Sequence, residues 1–258
     1  MQGLVAAKPG RSGPFRGGKI PLSMNACPVC TASNPSDFAT IDERRYLRCH
    51  HCLASFLDHA QLPNRETEKS VYDLHQNDPD DPGYRRFLGR LAGPLLDRLE
   101  PASRGLDYGC GPGPALAAML AEAGHQVAQY DPIYRPDNAL LGSLRHSCSM
   151  PHSEALNMNV FVSYDFITCT EVVEHFHHPA EEFRRLDAML KPGGWLAIMT
   201  IFQTDDARFA GWHYRRDPTH VVFYRPHTFE ALGRRHGWQL DFPDRNIVFA
   251  RKLIKSRR

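Results

Sequence analysis

Three groups of residues in this chain have types and spacings suited to chemistry. The first is a pair of cysteine pairs, Cys27-Pro-Val-Cys30 and Cys49-His-His-Cys52, with 18 residues between them. Each CxxC turn puts two sulfurs on one side of a tight knuckle, and two knuckles at this distance predict a closed tetrahedral zinc site. With Cys27, Cys30, Cys49 and Cys52 all supplying sulfur, no coordination position stays open, so the ion would be structural. Its binding energy would order a segment too short to fold alone. Free thiols or a redox pair are the plain alternative. His50 and His51 are expected to face solvent.

The second group is Leu106-Asp107-Tyr108-Gly109-Cys110-Gly111-Pro112-Gly113, where a strand ends and a helix begins. Glycines there permit positive φ and close approach of backbone to ligand, and the helix amino terminus offers unpaired N–H groups. A dinucleotide fingerprint needs its third glycine at the sixth position, which is Pro114 here. Asp107 would repel a pyrophosphate and suits a ligand that carries an ammonium group. The third group is Glu171, Glu174 and His175, spaced i, i+3 and i+4, which predicts one face of a helical turn. Carboxylate oxygens with an imidazole suit Mg²⁺ or Mn²⁺ better than a soft metal.

The elements that must hold these groups follow from periodicity. The chain alternates strand and helix from position 104: strands at 104–108, 126–130, 166–170, 195–201, 238–242 and 247–254, with helices at 114–123, 180–190 and 228–236. That pattern predicts an α/β fold, a doubly wound and mostly parallel sheet with ligands at the carboxyl ends of its strands. Residues 1–24, with four basic and no acidic residues, read as a disordered tail; acid-poor composition fits a transit peptide, but amphipathic periodicity is missing. A zinc ribbon is expected over 25–62. A linker and covering helices should occupy 63–103, broken by the turn-rich NDPDDPG, and the sheet domain 104–258. The stretch from Leu140 to Tyr164 has no clear period and reads as an irregular insertion.

LDYGCGPG resembles the first motif of class I S-adenosylmethionine-dependent methyltransferases. Tyr130-Asp131-Pro132 resembles the end of their second strand, YDFITCTEVVEHF their fourth strand and the following turn, and LKPGGWLAIM the entry to the fifth. The resemblance runs from about residue 85 to the carboxyl terminus. It implies that Asp107, Gly109, Cys110, Gly111, Gly113, Asp131 and Thr170 contact S-adenosylmethionine, with Asp131 on the ribose hydroxyls. The insertion falls where the third strand and adenine contact should lie, so the adenine contact is unassigned. The Glu-x-x-Glu-His turn resembles the metal-dependent branch, which includes ubiquinone-pathway O-methyltransferases and small-RNA 2'-O-methyltransferases. There a distant histidine completes the site, which implies His220 beside Glu171, Glu174 and His175. Glu174, His175 and His220 would then carry catalysis. In the alternative, the Glu174-His175 pair only stabilises the turn; His177 and His178 are weaker candidate ligands.

Composition sets the remaining bounds. The 258 residues carry a formal charge of +2, so neither nucleic acid nor an anionic membrane is indicated as a partner. No run reaches the roughly 18 apolar residues of a membrane span, and a cytoplasmic location is expected. The aromatic and basic residues Phe202, Phe209, Trp212, His213, Tyr214, Arg215, Arg216 and Tyr224 read either as an acceptor pocket or as core with a solvated face. Basic residues near the carboxyl terminus read as a solvated tail. The expected activity is O-methyl transfer to an acceptor the sequence does not identify. Two competing functions stand beside it: a non-catalytic zinc-ribbon scaffold that binds S-adenosylmethionine, and a nicotinamide-dependent oxidoreductase.

Overall fold

The computed structural model describes residues 26–74, 77–141 and 162–254. The amino-terminal tail, Cys148 and nearly all of the 140–164 insertion lie outside the described residues.

Two sheets organise the chain. The larger has six strands: β4 (Arg104–Tyr108), β5 (Gln126–Tyr130), β6 (Tyr164–Thr170), β7 (Leu190–Met199), β9 (Trp238–Asp244) and β10 (Ile247–Lys252). Their order is β5-β4-β6-β7-β10-β9, and β10 alone runs antiparallel to both its neighbours. This is the expected doubly wound, mostly parallel sheet. Helices α2 (Pro82–Leu96), α3 (Ala115–Glu122), α4 (Pro179–Met189) and α6 (Pro226–His236) accompany it. Leu88, Leu91, Ala92 and Leu95 recur at helical spacing along α2, and they pack with Leu116 and Leu120 of α3 against Phe166, Ala197 and Phe249. The alternate strand residues Ile167, Leu196 and Val248 share a core with Phe183 of α4 and Phe229 of α6, so both faces are covered, as a parallel sheet requires.

The second sheet is small and antiparallel, in the order β1-β2-β3-β8, from β1 (Ser36–Ile41), β2 (Arg44–Arg48), β3 (Ser55–Leu57) and β8 (Val222–Phe223). The first three belong to the cysteine segment. The fourth comes from the far end of the chain, pairing Phe223 with Ser55 and Val222 with Phe56. A boundary near residue 62 therefore marks a change in sequence character while the hydrogen bonding runs across it. Phe38, Tyr46, Phe209, Trp212 and Phe223 interlock with ring centroids 5.1–6.4 Å apart. Of the downstream aromatic cluster, Phe202, Phe209, Tyr214 and Tyr224 are core, and Trp212 packs half-buried against it. Arg215 is buried with its guanidinium on the Tyr46 hydroxyl, the Ala210 carbonyl and Asp42.

Two local expectations change. The strand anticipated at Trp195 begins at Leu190, directly after α4, so the Lys-Pro-Gly-Gly run falls within it, with Gly193 at φ +86° and the register shifting between Tyr164 and Phe166. The helical face anticipated for Glu171, Glu174 and His175 is a single 3₁₀ turn, Val173–His175. Glu171 precedes it in a left-handed conformation, φ +53°, and so stands outside the turn.

Candidate active site

The two cysteine knuckles are built alike. In each, the amide of the first cysteine donates to the carbonyl five residues on, Ala32 or Ala54, and the first cysteine's carbonyl accepts from Thr31 or Leu53. Thr31 and Leu53 share φ of 61°, and this left-handed residue closes each turn. Cys27 Sγ lies 3.6 Å from Cys52 Sγ, and Cys30 Sγ lies 3.5 Å from Cys49 Sγ. All four sulfurs fall within 4.8 Å of one another. A disulfide would need about 2.0 Å, whereas sulfurs on a zinc tetrahedron with Zn–S near 2.3 Å sit about 3.8 Å apart. The donor set and spacing fit a four-thiolate ion.

A cavity of about 1090 Å³ opens at the carboxyl ends of β4, β5 and β6. That reaches the upper end of the roughly 300–1,000 Å³ typical of ligand sites, enough for a cofactor and a second small molecule together. At one end it is lined by Gly109, Cys110, Gly111, Tyr130 and Asp131, and at the other by Thr170, Glu171, His175, Tyr214, Asp217 and His220. The glycine turn demands glycine at particular positions. Gly109 has φ +78°, and a Cβ there would come within 2.5 Å of Val172; a Cβ on Gly113 would meet the Asn77 carbonyl at 1.8 Å. Asp131 ties the turn to the neighbouring strand: its carboxylate accepts from the amides of Gly111, Ile133 and Tyr134 at 2.8–3.1 Å.

Two of the residues expected to touch the cofactor stand behind the cavity wall. Asp107 is buried beneath α3 and accepts from the Thr168 hydroxyl at 2.7 Å, and burial pushes its carboxyl up to about 6. Its bonds stiffen the base of the turn. Gly113 packs on the Asn77 carbonyl instead of lining the space. Cys110 lines it, with its thiol pushed up to about 12 by burial and by Asp107 and Asp131.

At the other end Glu174, His175 and His220 bring one donor atom each within 4.8 Å of the others. Glu171 is outside that group, although its charge acts on Glu174. It remains a wall of the cavity, and burial pushes its carboxyl up to about 7. The Glu174 carboxylate is fully buried; Oε1 accepts from the Tyr214 hydroxyl at 2.6 Å and Oε2 from the Thr200 hydroxyl at 3.0 Å. Burial, then the Glu171 charge, holds Glu174 well above the usual carboxylate range. His175 Nδ1 meets the Thr219 carbonyl at 3.1 Å, and His220 Nδ1 meets the Tyr214 carbonyl at 2.7 Å. A carbonyl can only accept, so each ring donates through Nδ1–H, and when the ring is neutral its lone pair is on Nε2. Metal-binding histidines are oriented by just such a bond.

The sequence did not reveal what keeps this cluster in place. Val221 follows His220 and is bonded on both sides: its amide donates to the Glu174 carbonyl at 2.9 Å, and its carbonyl accepts from Leu57 at 2.8 Å. The cysteine sheet thus ends on the residue next to His220. Each knuckle is also gripped by a helix of the larger domain. The Ala180 amide at the start of α4 donates to the Pro28 carbonyl, and the Thr228 hydroxyl on α6 donates to the Cys52 carbonyl. Helix α1 (Arg65–Tyr72) and the start of α2 roof the cavity with Arg65, Glu68, Tyr72, Tyr84 and Phe87. His177 meets Glu68 of α1 at 3.0 Å, and His178 begins α4, so neither joins the cluster.

A doubly wound sheet whose strand ends share a cavity with a glycine turn and a following-strand acid defines a Rossmann-like nucleotide-binding domain. The chain belongs to the methyltransferase domain family, whose model matches residues 82–241. It is 33% identical over 167 residues to the ubiquinone biosynthesis O-methyltransferase of Xanthomonas axonopodis pv. citri, covering 56% of this chain and 66% of that protein. The enzyme of the same name from Nitrosospira multiformis is 33% identical over 136 residues, 50% of this chain and 52% of that one. The chain therefore spans between half and two thirds of these relatives. Among solved structures, Burkholderia thailandensis 1,6-didemethyltoxoflavin-N1-methyltransferase with S-adenosylhomocysteine bound is 19% identical, with a TM-score of 0.47 over 85% of this chain and 100% of that one. Among the described residues, no helix is long and apolar enough to cross a membrane.

Proposed function

We propose that the protein transfers the methyl group of S-adenosylmethionine to an oxygen nucleophile, with a divalent cation held by Glu174, His175 and His220 and a structural zinc held by Cys27, Cys30, Cys49 and Cys52. The observation that carries this reading is that one cavity is bounded by the glycine turn with Asp131 and, at its far end, by two histidines whose Nδ1 atoms are pinned to carbonyls. Relatives named O-methyltransferases favour oxygen as the acceptor atom. Tyr72, Tyr84, Phe87, Ile201 and Tyr214 in the cavity wall favour an aromatic acceptor such as a phenol or catechol.

The chain's part in the reaction is placement. The glycine turn, which leaves space where side chains would stand, and the carboxylate of Asp131 hold the donor at the ends of β4 and β5. The roof of α1 and α2 keeps water from the reacting pair, and in-line positioning supplies much of the rate of a methyl transfer. A divalent cation, once bound, would lower the pKa of the acceptor hydroxyl and stabilise the anion that attacks. Tyr214 and Thr200 keep the Glu174 carboxylate aimed at its neighbours while it is desolvated. A second reading rests on Asp217, whose carboxylate lies 3.9 Å from His220 Nε2. There His220 takes the acceptor's proton at Nε2, Asp217 steadies the imidazolium, and no cation is needed.

The test is methyl transfer from labelled S-adenosylmethionine to a panel of phenols and catechols, before and after chelation. Loss of activity on chelation, its return with Mg²⁺ or Mn²⁺, and a lower and less cation-dependent rate in His220→Ala are expected. Full activity in the chelated wild type would remove the divalent cation and leave His220 as the base.

A further inference from the structure

Helix α1 lies outside the stretch that matches the methyltransferase family, yet it reaches both ends of the cavity. Arg65 Nη2 donates to the Pro132 carbonyl beside Asp131, and the Tyr134 hydroxyl donates to Asp73 just beyond the helix. These two contacts tie α1 to the cofactor side. Glu68 and Tyr72, one helical turn apart and so on one face, reach the opposite side. Glu68 Oε1 is 3.0 Å from His177 Nε2. The Tyr72 and His175 rings form a T-shaped pair, with centroids 5.2 Å apart and planes at 87°.

Tyr72 touches the candidate cluster twice. Its ring meets the His175 imidazole, and its hydroxyl lies beside the Thr219 side chain. Thr219 is the residue whose carbonyl receives His175 Nδ1–H, and its own hydroxyl donates to Asp217 at 2.5 Å. His220 comes next in the chain, its ring 4.6 Å from that of His175. One side chain therefore braces both the His175 ring and the backbone that sets that ring's tautomer.

We propose that Tyr72 is a positioning residue that fixes the orientation and tautomer of His175, so that α1 completes the Glu174–His175–His220 cluster from outside the methyltransferase domain. The inference rests on that cluster being the working end of the cavity. A tyrosine serves here because its ring packs T-shaped on the imidazole while its hydroxyl lies beside Thr219.

The experiment uses the full chain with Tyr72→Phe and Tyr72→Leu. The first readout is the ¹⁵N-detected tautomer of the His175 ring in the absence of added metal, and the second is Mn²⁺ affinity followed by its paramagnetic signal. In the wild type His175 should be the single Nδ1–H tautomer. Tyr72→Leu should give a mixture of tautomers and weaken Mn²⁺ binding about tenfold, the lower end of what removal of an orienting neighbour does. Tyr72→Phe keeps the ring and loses only the hydroxyl beside Thr219, so a smaller loss of about threefold is expected. S-adenosylhomocysteine affinity should stay within about twofold in both, since Asp131 and the glycine turn are untouched. A single unchanged tautomer in both variants would overturn the proposal, and so would unchanged Mn²⁺ affinity beside a bound wild type. If Tyr72→Leu fails to fold, Tyr72→Phe decides by the same readouts. A wild type that takes up no Mn²⁺ would refute the cation reading, and the tautomer would still decide the role of Tyr72.

Discussion

Replacing Tyr214 by phenylalanine removes one hydroxyl at the most desolvated point of the site. That hydroxyl donates to Glu174 Oε1 at 2.6 Å and lies 3.0 Å from Thr200 Oγ1, and Glu174 has no exposed surface from which water could replace it. A hydrogen bond to a charged group contributes about 1.5–3 kcal/mol, and an unmet buried acceptor is costlier than a solvated one. Thr200 still serves Oε2, so the loss should be about 2 kcal/mol rather than the full desolvation of a carboxylate. For a chain of this size each kcal/mol shifts the midpoint by about 2–4 °C, which puts Tyr214→Phe about 4–8 °C below the wild type. The Tyr214 bond is among the effects that lower the raised Glu174 pKa, so its removal also drives Glu174 further towards the neutral acid. Cation binding should then move to higher pH. The assay is thermal unfolding of Tyr214→Phe, Glu174→Gln and the double variant, at constant pH and without added metal. Coupling of about 1–2 kcal/mol between the two positions is expected for groups in direct contact. Additive effects, or a midpoint within about 1 °C of the wild type, would refute the claim that this pair holds the site.

Asp131→Ala should lower S-adenosylhomocysteine affinity at least tenfold by calorimetry and lower the midpoint as well, because the carboxylate accepts from the Gly111 amide of the glycine turn and from the Ile133 and Tyr134 amides after β5. Unchanged affinity would place the cofactor elsewhere. Asp107 titrates near 6 in the folded chain, against 3.8 for an ordinary aspartate. The folded state therefore holds its proton more tightly than the unfolded one, and the stability this provides is complete below pH 3.8 and lost by pH 6. At pH 7 the difference amounts to about 3 kcal/mol. Asp107→Asn keeps an acceptor for Thr168 and should raise the midpoint at pH 7 while flattening its decline between pH 4 and 6; a steeper decline would contradict this. Stripping metal with a thiol-competitive chelator, or Cys30→Ser, should release zinc measurable by a colorimetric dye and lower both the midpoint and activity, since β8 follows His220 into the cysteine sheet. Undiminished activity after zinc loss would uncouple the two sites.

Much of this arrangement could be read along the chain. Local chemistry defined the knuckles, because CxxC spacing and a left-handed residue at Thr31 and Leu53 suffice to turn each pair of sulfurs inward. It defined the glycine turn too, and alternating periodicity defined the parallel sheet. The pairing of β8 with β3 was not legible: two residues, Val222 and Phe223, carry no strand period, and their partner lies more than 160 positions away. Tyr214 and Thr200 were equally hidden as ligand-holders, because nothing in their local sequence refers to Glu174.

The sequence by itself determined which elements form and which donors exist, since propensity, periodicity and short spacings act between near neighbours. Tertiary structure alone decided which donors meet. Where i, i+3, i+4 spacing anticipates one helical face, the chain forms a single 3₁₀ turn with Glu171 ahead of it, and burial in the core selected Tyr214 and Thr200 as the groups that satisfy Glu174. Buried polar atoms take whatever partner the packing brings to them, and that choice is made in space after the chain order has been fixed.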